Sequence, residues 1–216
     1  MPNYKFPKSC QIKKLNELYQ TVFGEKIGTF VEVGAYDGYK YSNTWGLANC
    51  GWSGHYIEPM PAAYRNCNQY HAKNKQVKIH QLAIGDGTGR IKIRADGPLS
   101  SSDKKQIEIF KKSGWVRKGE GNWVEVSQIT LDEFLTTNDV PNPFELLVVD
   151  VEGSEWSVFK NFDLEKWQPQ VVIVELHDKN DRYLSKREEC IKLAKYIKRY
   201  YKVIYKDNTN TVFVRK

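Results

Sequence analysis

The stretch Thr29-Phe30-Val31-Glu32-Val33-Gly34-Ala35-Tyr36-Asp37-Gly38 decides the fold. A short, mostly apolar run of β-branched and aromatic residues predicts a buried strand, and the glycines after it predict a turn into a helix where the backbone approaches a ligand closely. His55 to Glu58 reads as another short strand after a helix-length gap, which makes a β-α-β unit. Glu58 falls about 20 residues beyond Gly38, at the end of that second strand, where an acidic side chain accepts the hydroxyl hydrogens of a ribose.

Outward from this unit the pattern continues. Ile12, Leu15, Tyr19 and Val22 recur at helical spacing until Gly24, so residues 1–26 are expected to form a helical extension. Val77 to Ile84 and Arg90 to Arg94 are strand candidates parted by Gly85-Asp86-Gly87-Thr88-Gly89, a turn signal that suggests a hairpin-like extension. Residues 95–122 hold Gly97-Pro98, serines at 100 to 102, Gly114, Gly119 and Gly121, the composition of a loop-rich segment or lid over an active site. Trp123 to Val126 reads as strand and Leu131 to Leu135 as a helical turn. Leu146 to Val151 and Val171 to Glu175 are apolar without alternation, as in parallel strands covered on both faces. Ser185 and Glu188 match a capping box for a helix reaching about Tyr200, and Tyr201 to Tyr205 with Thr211 to Val214 flank a turn that closes a β-hairpin. The fold class is therefore α/β, a mostly parallel Rossmann-like sheet ending in a C-terminal antiparallel hairpin.

Bulk properties narrow the setting. A chain of 216 residues, 40% hydrophobic, has room for one domain with a substantial core, so residues 1–216 are read as a single domain. Met1 to Gln11 carry Lys5, Lys8 and two prolines, and no segment approaches about 18 consecutive apolar residues. A soluble cytoplasmic protein with no membrane partner is expected. Cys10, Cys50, Cys67 and Cys190 are widely spaced, so free thiols are expected rather than a metal framework. The net charge of +7 admits a polyanion, but the lysines are spread along the chain. The densest basic stretch (Lys104, Lys105, Lys111, Lys112, Arg117 and Lys118, interleaved with Phe110 and Trp115) reads as a solvated surface or lid, with an anionic acceptor as the alternative.

The spacing from Gly34 to Gly38 is G-x-x-x-G, whereas a dinucleotide loop is G-x-G-x-x-G with pyrophosphate on the helix N-terminus. Glu32 and Asp37 add negative charge around this loop, which disfavours pyrophosphate and suits a ligand carrying a sulfonium and an ammonium. S-adenosylmethionine therefore fits better than NAD, and the hairpin-ended sheet is the class I methyltransferase variant of the doubly wound fold.

Glu32 to Gly38, Ser42-Asn43-Thr44, Gly51-Trp52-Ser53-Gly54 and Tyr56-Ile57-Glu58-Pro59 resemble the opening of FkbM-type methyltransferases. The likeness runs on through Ala83-Ile84-Gly85-Asp86, Thr130 to Phe134, Asp150-Val151-Glu152-Gly153-Ser154-Glu155 and Val174-Glu175-Leu176-His177, about residues 29 to 178. It implies the class I fold, S-adenosylmethionine as donor, and an oxygen acceptor on a sugar or small metabolite. It further implies that Gly34, Ala35 and Gly38 face the methionine and ribose, that Glu58 holds the ribose hydroxyls, and that Ala83 and Ile84 flank adenine. The glycines of 85–89 either join that wall or only shape a turn.

An aliphatic hydroxyl is a poor nucleophile at neutral pH and calls for a general base or a cation. Asp150 and Glu175 end their strands on the edge where ligands bind, Asp150 also within reach of the cofactor, and His177 is the best proton acceptor near neutrality. The four carboxylates Asp150, Glu152, Glu155 and Glu175 with His177 also suit Mg²⁺ or Mn²⁺, although chemistry without a metal is expected. A sugar, glycan or small-molecule acceptor is the expected partner, with a glycosyltransferase as a companion protein or fused segment. Ribose 2′-O-methylation of RNA is the competing enzyme reading, small-metabolite O-methylation another, and a cofactor-binding module without turnover the non-enzymatic one. Nucleic acid is disfavoured because no compact RNA-binding module is visible, and Asp150-Val151-Glu152-Gly153 is not the Asn/Asp-Pro-Pro-aromatic loop of base methylation.

Overall fold

A computed structural model describes residues 2–216. Its main sheet has seven strands in the order β3-β2-β1-β7-β8-β10-β9. These are β1 (Thr29–Val33), β2 (Ser53–Ile57), β3 (Val77–His80), β7 (Leu146–Val149), β8 (Val171–Glu175), β9 (Tyr201–Lys206) and β10 (Asn210–Arg215). The first five run parallel, and β10 pairs antiparallel with both β8 and β9, the hairpin expected from sequence.

Non-alternating strands follow from cover on both faces. Leu147, Val149, Val172 and Val174 point into a core with Phe134, Phe159 and Leu193. Leu146, Val148, Val171 and Ile173 point the other way, toward Tyr19, Phe23 and Trp52. Helices α1 (Leu15–Phe23), α2 (Trp45–Asn49) and α3 (Pro61–Tyr70) lie among the first strands, and α5 (Leu131–Thr137), α6 (Glu155–Phe159), α7 (Leu164–Trp167) and α8 (Arg187–Ile197) among the later ones. Among the described residues no helix is long and apolar enough to cross a membrane. All four cysteines are free thiols.

Register sets the functional edge. Val33 pairs with Ile57 on one side and Val149 on the other, and Val149 with Val174. The next residue along each strand is Gly34, Glu58, Asp150 and Glu175, so these four emerge side by side at the carboxyl edge. The strand β7 stops at Val149, although the Asp150 N–H still donates to the Val33 carbonyl at 3.0 Å, which fixes the backbone from which its side chain leaves the sheet.

Four local expectations need correction. Val77 to Ile84 is not one strand: β3 ends at His80, and β4 (Ala83–Ile84) starts a separate sheet of order β4-β6-β5. There β5 (Gly89–Arg94) and β6 (Trp123–Ile129) are antiparallel, and β6 lies between β4 and β5, so the glycine-rich turn does not close a hairpin. Residues 95–122 are not all loop, because Asp103 caps helix α4 (Lys104–Lys112) by accepting from the Gln106 N–H, and the helix buries Ile107, Ile109 and Phe110. The capping box at Ser185 does not form: the turn at Asp181–Tyr183 runs on into the helix, Lys186 and Arg187 donating to the Tyr183 and Leu184 carbonyls, and the helix opens at Arg187 with Lys186 rather than Ser185 at its cap.

Candidate active site

No helix follows β1 directly; residues 34–44 form a loop hung on acidic side chains. The Glu32 carboxylate accepts from Ser42 Oγ at 3.0 Å, the Asn43 N–H at 3.1 Å and Thr44 Oγ1 at 2.5 Å, tying the loop back to its own strand. Burial raises the Glu32 pKa to about 7 against those hydrogen bonds. Asp37 accepts from the Tyr39 and Lys40 N–H groups. Gly38, at φ +66°, gives its side-chain space to Cys67 and His71, and its carbonyl accepts from His71 Nε2. Asp37 and Gly38 thus shape the loop and do not line the cavities beside it.

Gly34 is required for packing. At φ +82° a Cβ would lie 1.7 Å from the Asp150 carbonyl oxygen, so only glycine lets the end of β1 pass the end of β7.

Two cavities open along the edge. The first is lined by Glu58, Met60, Ala83, Ile84, Gly34 and Asp150 and is covered by residues 97–102 of the segment after β5. The second is lined by Glu32, Ala35, Ser42, Asn43, Lys40 and Gln11. Gly34, Tyr36, Pro98, Asp150 and Glu152 belong to both walls, so Asp150 stands at the junction.

Glu58 is 6% exposed and held by the backbone: Oε2 accepts from the Tyr36 N–H and Oε1 from the Met60 N–H, each at 2.8 Å. Burial raises its pKa to about 7, opposed by those two bonds. A carboxylate oxygen accepts more than one hydrogen bond, so the face toward the cavity keeps acceptor capacity.

Beyond the junction lies a denser acidic group. Asp150, Glu155 and Glu175 each bring a carboxylate oxygen within 4.8 Å of the other two. Glu155 is steadied by the Val151 and Gly153 N–H groups, but Asp150 Oδ1 and Glu175 Oε2 are buried without a hydrogen-bond partner. Burial, and then the charge of neighbouring carboxylates (Glu175 and Glu155 on Asp150, Glu155 and Asp207 on Glu175), holds both well above the ordinary carboxylate range, and Glu152 likewise. His177 Nε2 lies 3.2 Å from Glu175 Oε1, although neither ring nitrogen forms a hydrogen bond, and the ring stacks on Tyr183 with centroids 3.6 Å apart. Burial lowers the His177 pKa, outweighing the pull of Glu155. Glu175 and His177 line neither cavity; they stand behind Asp150.

The segment after β5 is fastened to this group. Ser101 Oγ donates to the Glu152 carbonyl at 2.7 Å, and the missing side chain of Gly153 leaves room for Gln106. Buried Arg94 donates to the Arg117 carbonyl and pairs with Asp96. Sequence reasoning passed over Tyr36, whose φ of 51° turns its N–H toward Glu58, whereas Glu155, one of the carboxylates it counted toward a cation, falls inside the acidic group. A short loop between a strand and a β-α-β acid was the available signal for the former.

The fold recurs in solved methyltransferases of low identity, a likeness that shows the fold alone. A methyltransferase FkbM from Methylobacillus flagellatus KT is 14% identical with a TM-score of 0.54 over 87% of this chain, which spans 43% of that protein. An O-methyltransferase from Bacillus cereus, in complex with SAH, is 12% identical with a TM-score of 0.53 over 99% of this chain and 84% of that one. TomG of Streptomyces achromogenes, an O-methyltransferase of tomaymycin synthesis in complex with SAM, is 13% identical with a TM-score of 0.55 over 100% and 83%. No curated protein matches the chain. The methyltransferase FkbM domain itself matches residues 32–200, well over half the sequence and the whole of the edge just described, and the chain belongs to that methyltransferase family.

Proposed function

We propose that this chain is an S-adenosylmethionine-dependent O-methyltransferase that methylates a hydroxyl of a sugar or glycan. The observation that carries the reading is Glu58, a buried carboxylate preset by two backbone N–H groups with acceptor capacity left toward the first cavity. A ribose diol supplies two hydroxyl donors for it. Ala83, Ile84 and Met60 offer adenine an apolar wall, and Gly34 and Ala35 lie where the methionine portion reaches the second cavity. S-adenosylmethionine, when bound, supplies a methyl group on a sulfonium that is already a good leaving group. The SAM and SAH complexes of structurally similar O-methyltransferases support the same donor.

The chain's remaining task is to orient the acceptor and manage its proton. Asp150, on the shared wall, meets the acceptor hydroxyl, and its burial among neighbouring carboxylates favours its taking up a proton. Glu175 and His177 stand behind it to receive the proton onward. The sugar preference rests on the family likeness and on the second cavity, where Gln11, Lys40 and Asn43 bring polar groups suited to a polyhydroxylated acceptor.

Release of S-adenosylhomocysteine, measured against free sugars, glycans and capped RNA, tests the reading. Release with a saccharide is expected. Release with RNA and none with any saccharide would overturn the sugar assignment.

A further inference from the structure

We propose that Asp150, Glu155, Glu175 and His177 form a binding site for one divalent cation of the oxygen-preferring kind, Mg²⁺ or Mn²⁺. Three carboxylate oxygens already converge within 4.8 Å of one another. Oxygens on a single such ion lie about 3 Å apart when neighbouring and about 4.2 Å apart when opposite, so side-chain rotations that close the group by up to about 2 Å bring all three onto one ion.

Convergence of acids is not enough, because acidic groups gather without a cation. The second observation is His177. The residue is only 7% exposed, and neither ring nitrogen makes a hydrogen bond of good geometry, the Asn208 backbone being a polar group that bears on the ring without closing one. Its Nε2 lies 3.2 Å from Glu175 Oε1, close to the separation of about 3 Å between neighbouring ligands in one coordination shell. Buried polar atoms are normally paired, and here Asp150 Oδ1, Glu175 Oε2 and both nitrogens of His177 are left without partners in one region. Lys186, whose charge bears on Glu155, does not fill the gap: its ammonium is held by Asp103 at 2.8 Å and Glu189 at 2.5 Å.

Three hard carboxylates and one imidazole favour Mg²⁺ or Mn²⁺ over the soft-ligand metals. If the O-methyltransferase reading holds, a cation here lies against the wall where Asp150 meets the acceptor hydroxyl and lowers that hydroxyl's pKa, taking the place of onward proton transfer to Glu175 and His177, whose lone pairs it then occupies. That consequence rests on the proposed function; the cation site does not.

The test is a Mn²⁺ titration of the full chain after stripping with EDTA, followed by the electron paramagnetic resonance signal of free Mn²⁺. One Mn²⁺ per chain is expected, with affinity weakened by about tenfold or more in Glu175→Gln and in Asp150→Asn. Exposed Glu120→Gln is expected to bind as the unaltered chain does. Circular dichroism melts establish that the variants are folded. Should either variant fail to fold, nitrogen modulation of the bound Mn²⁺ signal in the unaltered chain reports the His177 ligand directly. No bound Mn²⁺ at millimolar metal, or binding undiminished in both folded variants, would overturn the site. Bound Mn²⁺ that depends on Glu175 upholds it whether or not any saccharide releases S-adenosylhomocysteine, so the two readings fail separately.

Discussion

Glu58 and Glu175 are the same residue type at the same edge of the same sheet, 6% and 7% exposed, and burial raises the pKa of both. Their surroundings differ in one respect. Each oxygen of Glu58 has a backbone N–H aimed at it, whereas Glu175 Oε2 has no partner and the nearest charges are other carboxylates. Glu58 is therefore furnished to receive neutral hydroxyl donors. The Glu175 side remains short of positive charge until a proton or a cation arrives. Burial alone does not assign a role to an acid; the donors the backbone provides do.

The strongest way to break this contrast is Asp150→Asn, which removes charge at the junction while keeping shape. Turnover should fall by about 10³-fold with much less change in S-adenosylhomocysteine affinity, checked by kinetics and calorimetry on one preparation. An equal loss of both would place Asp150 with the donor rather than the acceptor. On the other side, Glu58→Ala should weaken S-adenosylhomocysteine by about a hundredfold, about 3 kcal/mol, since it removes two charge-assisted hydrogen bonds and leaves the Tyr36 and Met60 N–H groups without their acceptor. His177→Phe keeps a ring against Tyr183 and removes both nitrogens; turnover should drop by about tenfold, and normal turnover would take His177 out of the reaction.

The smallest effect is on pH. Because burial lifts the Glu58 pKa to about 7, its charging cost is absent below the ordinary carboxylate range, appears as pH rises toward 7 and is complete above it. Glu58 thus opposes folding at the alkaline end of that window. Its ionised form is the better acceptor for two hydroxyls, so S-adenosylhomocysteine affinity should decline by about threefold between pH 7.5 and 6.5. In Glu58→Gln the decline should vanish, and a slope that persists there would assign it to another group.

Much of this contrast is legible in the chain. β1 and β8 appear residue for residue as their apolar runs, and the acids following β2 and β7 stand where a parallel register must deliver them to one edge. Other features are hidden for identifiable reasons. A two-residue strand such as β4 is too short to show a period, so the change of sheet at Gln81-Leu82 leaves no trace. Glycines and serines around α4 mask the buried Ile107, Ile109 and Phe110. Whether an oxygen of Glu58 or Glu175 finds a partner depends on loops far along the chain, and residue type carries no information about that. His177 has a neutral-pH chemistry readable from its identity, but its place behind Asp150 is set by the stack on Tyr183.

The small sheet has a mechanical corollary. Glu58 rides on the large sheet and Ala83 and Ile84 on the small one, so the first cavity is a seam between two bodies rather than a hole in either. The pin of that seam is a separate apolar cluster in which Met60 and Ala63, beside the large sheet, pack against Ile93 and Val126 of the small one. The gauge of the seam is thus governed by side chains such as Val126, outside the cavity lining, and trimming them is a way to retune the fit of a ligand without altering any group that meets it.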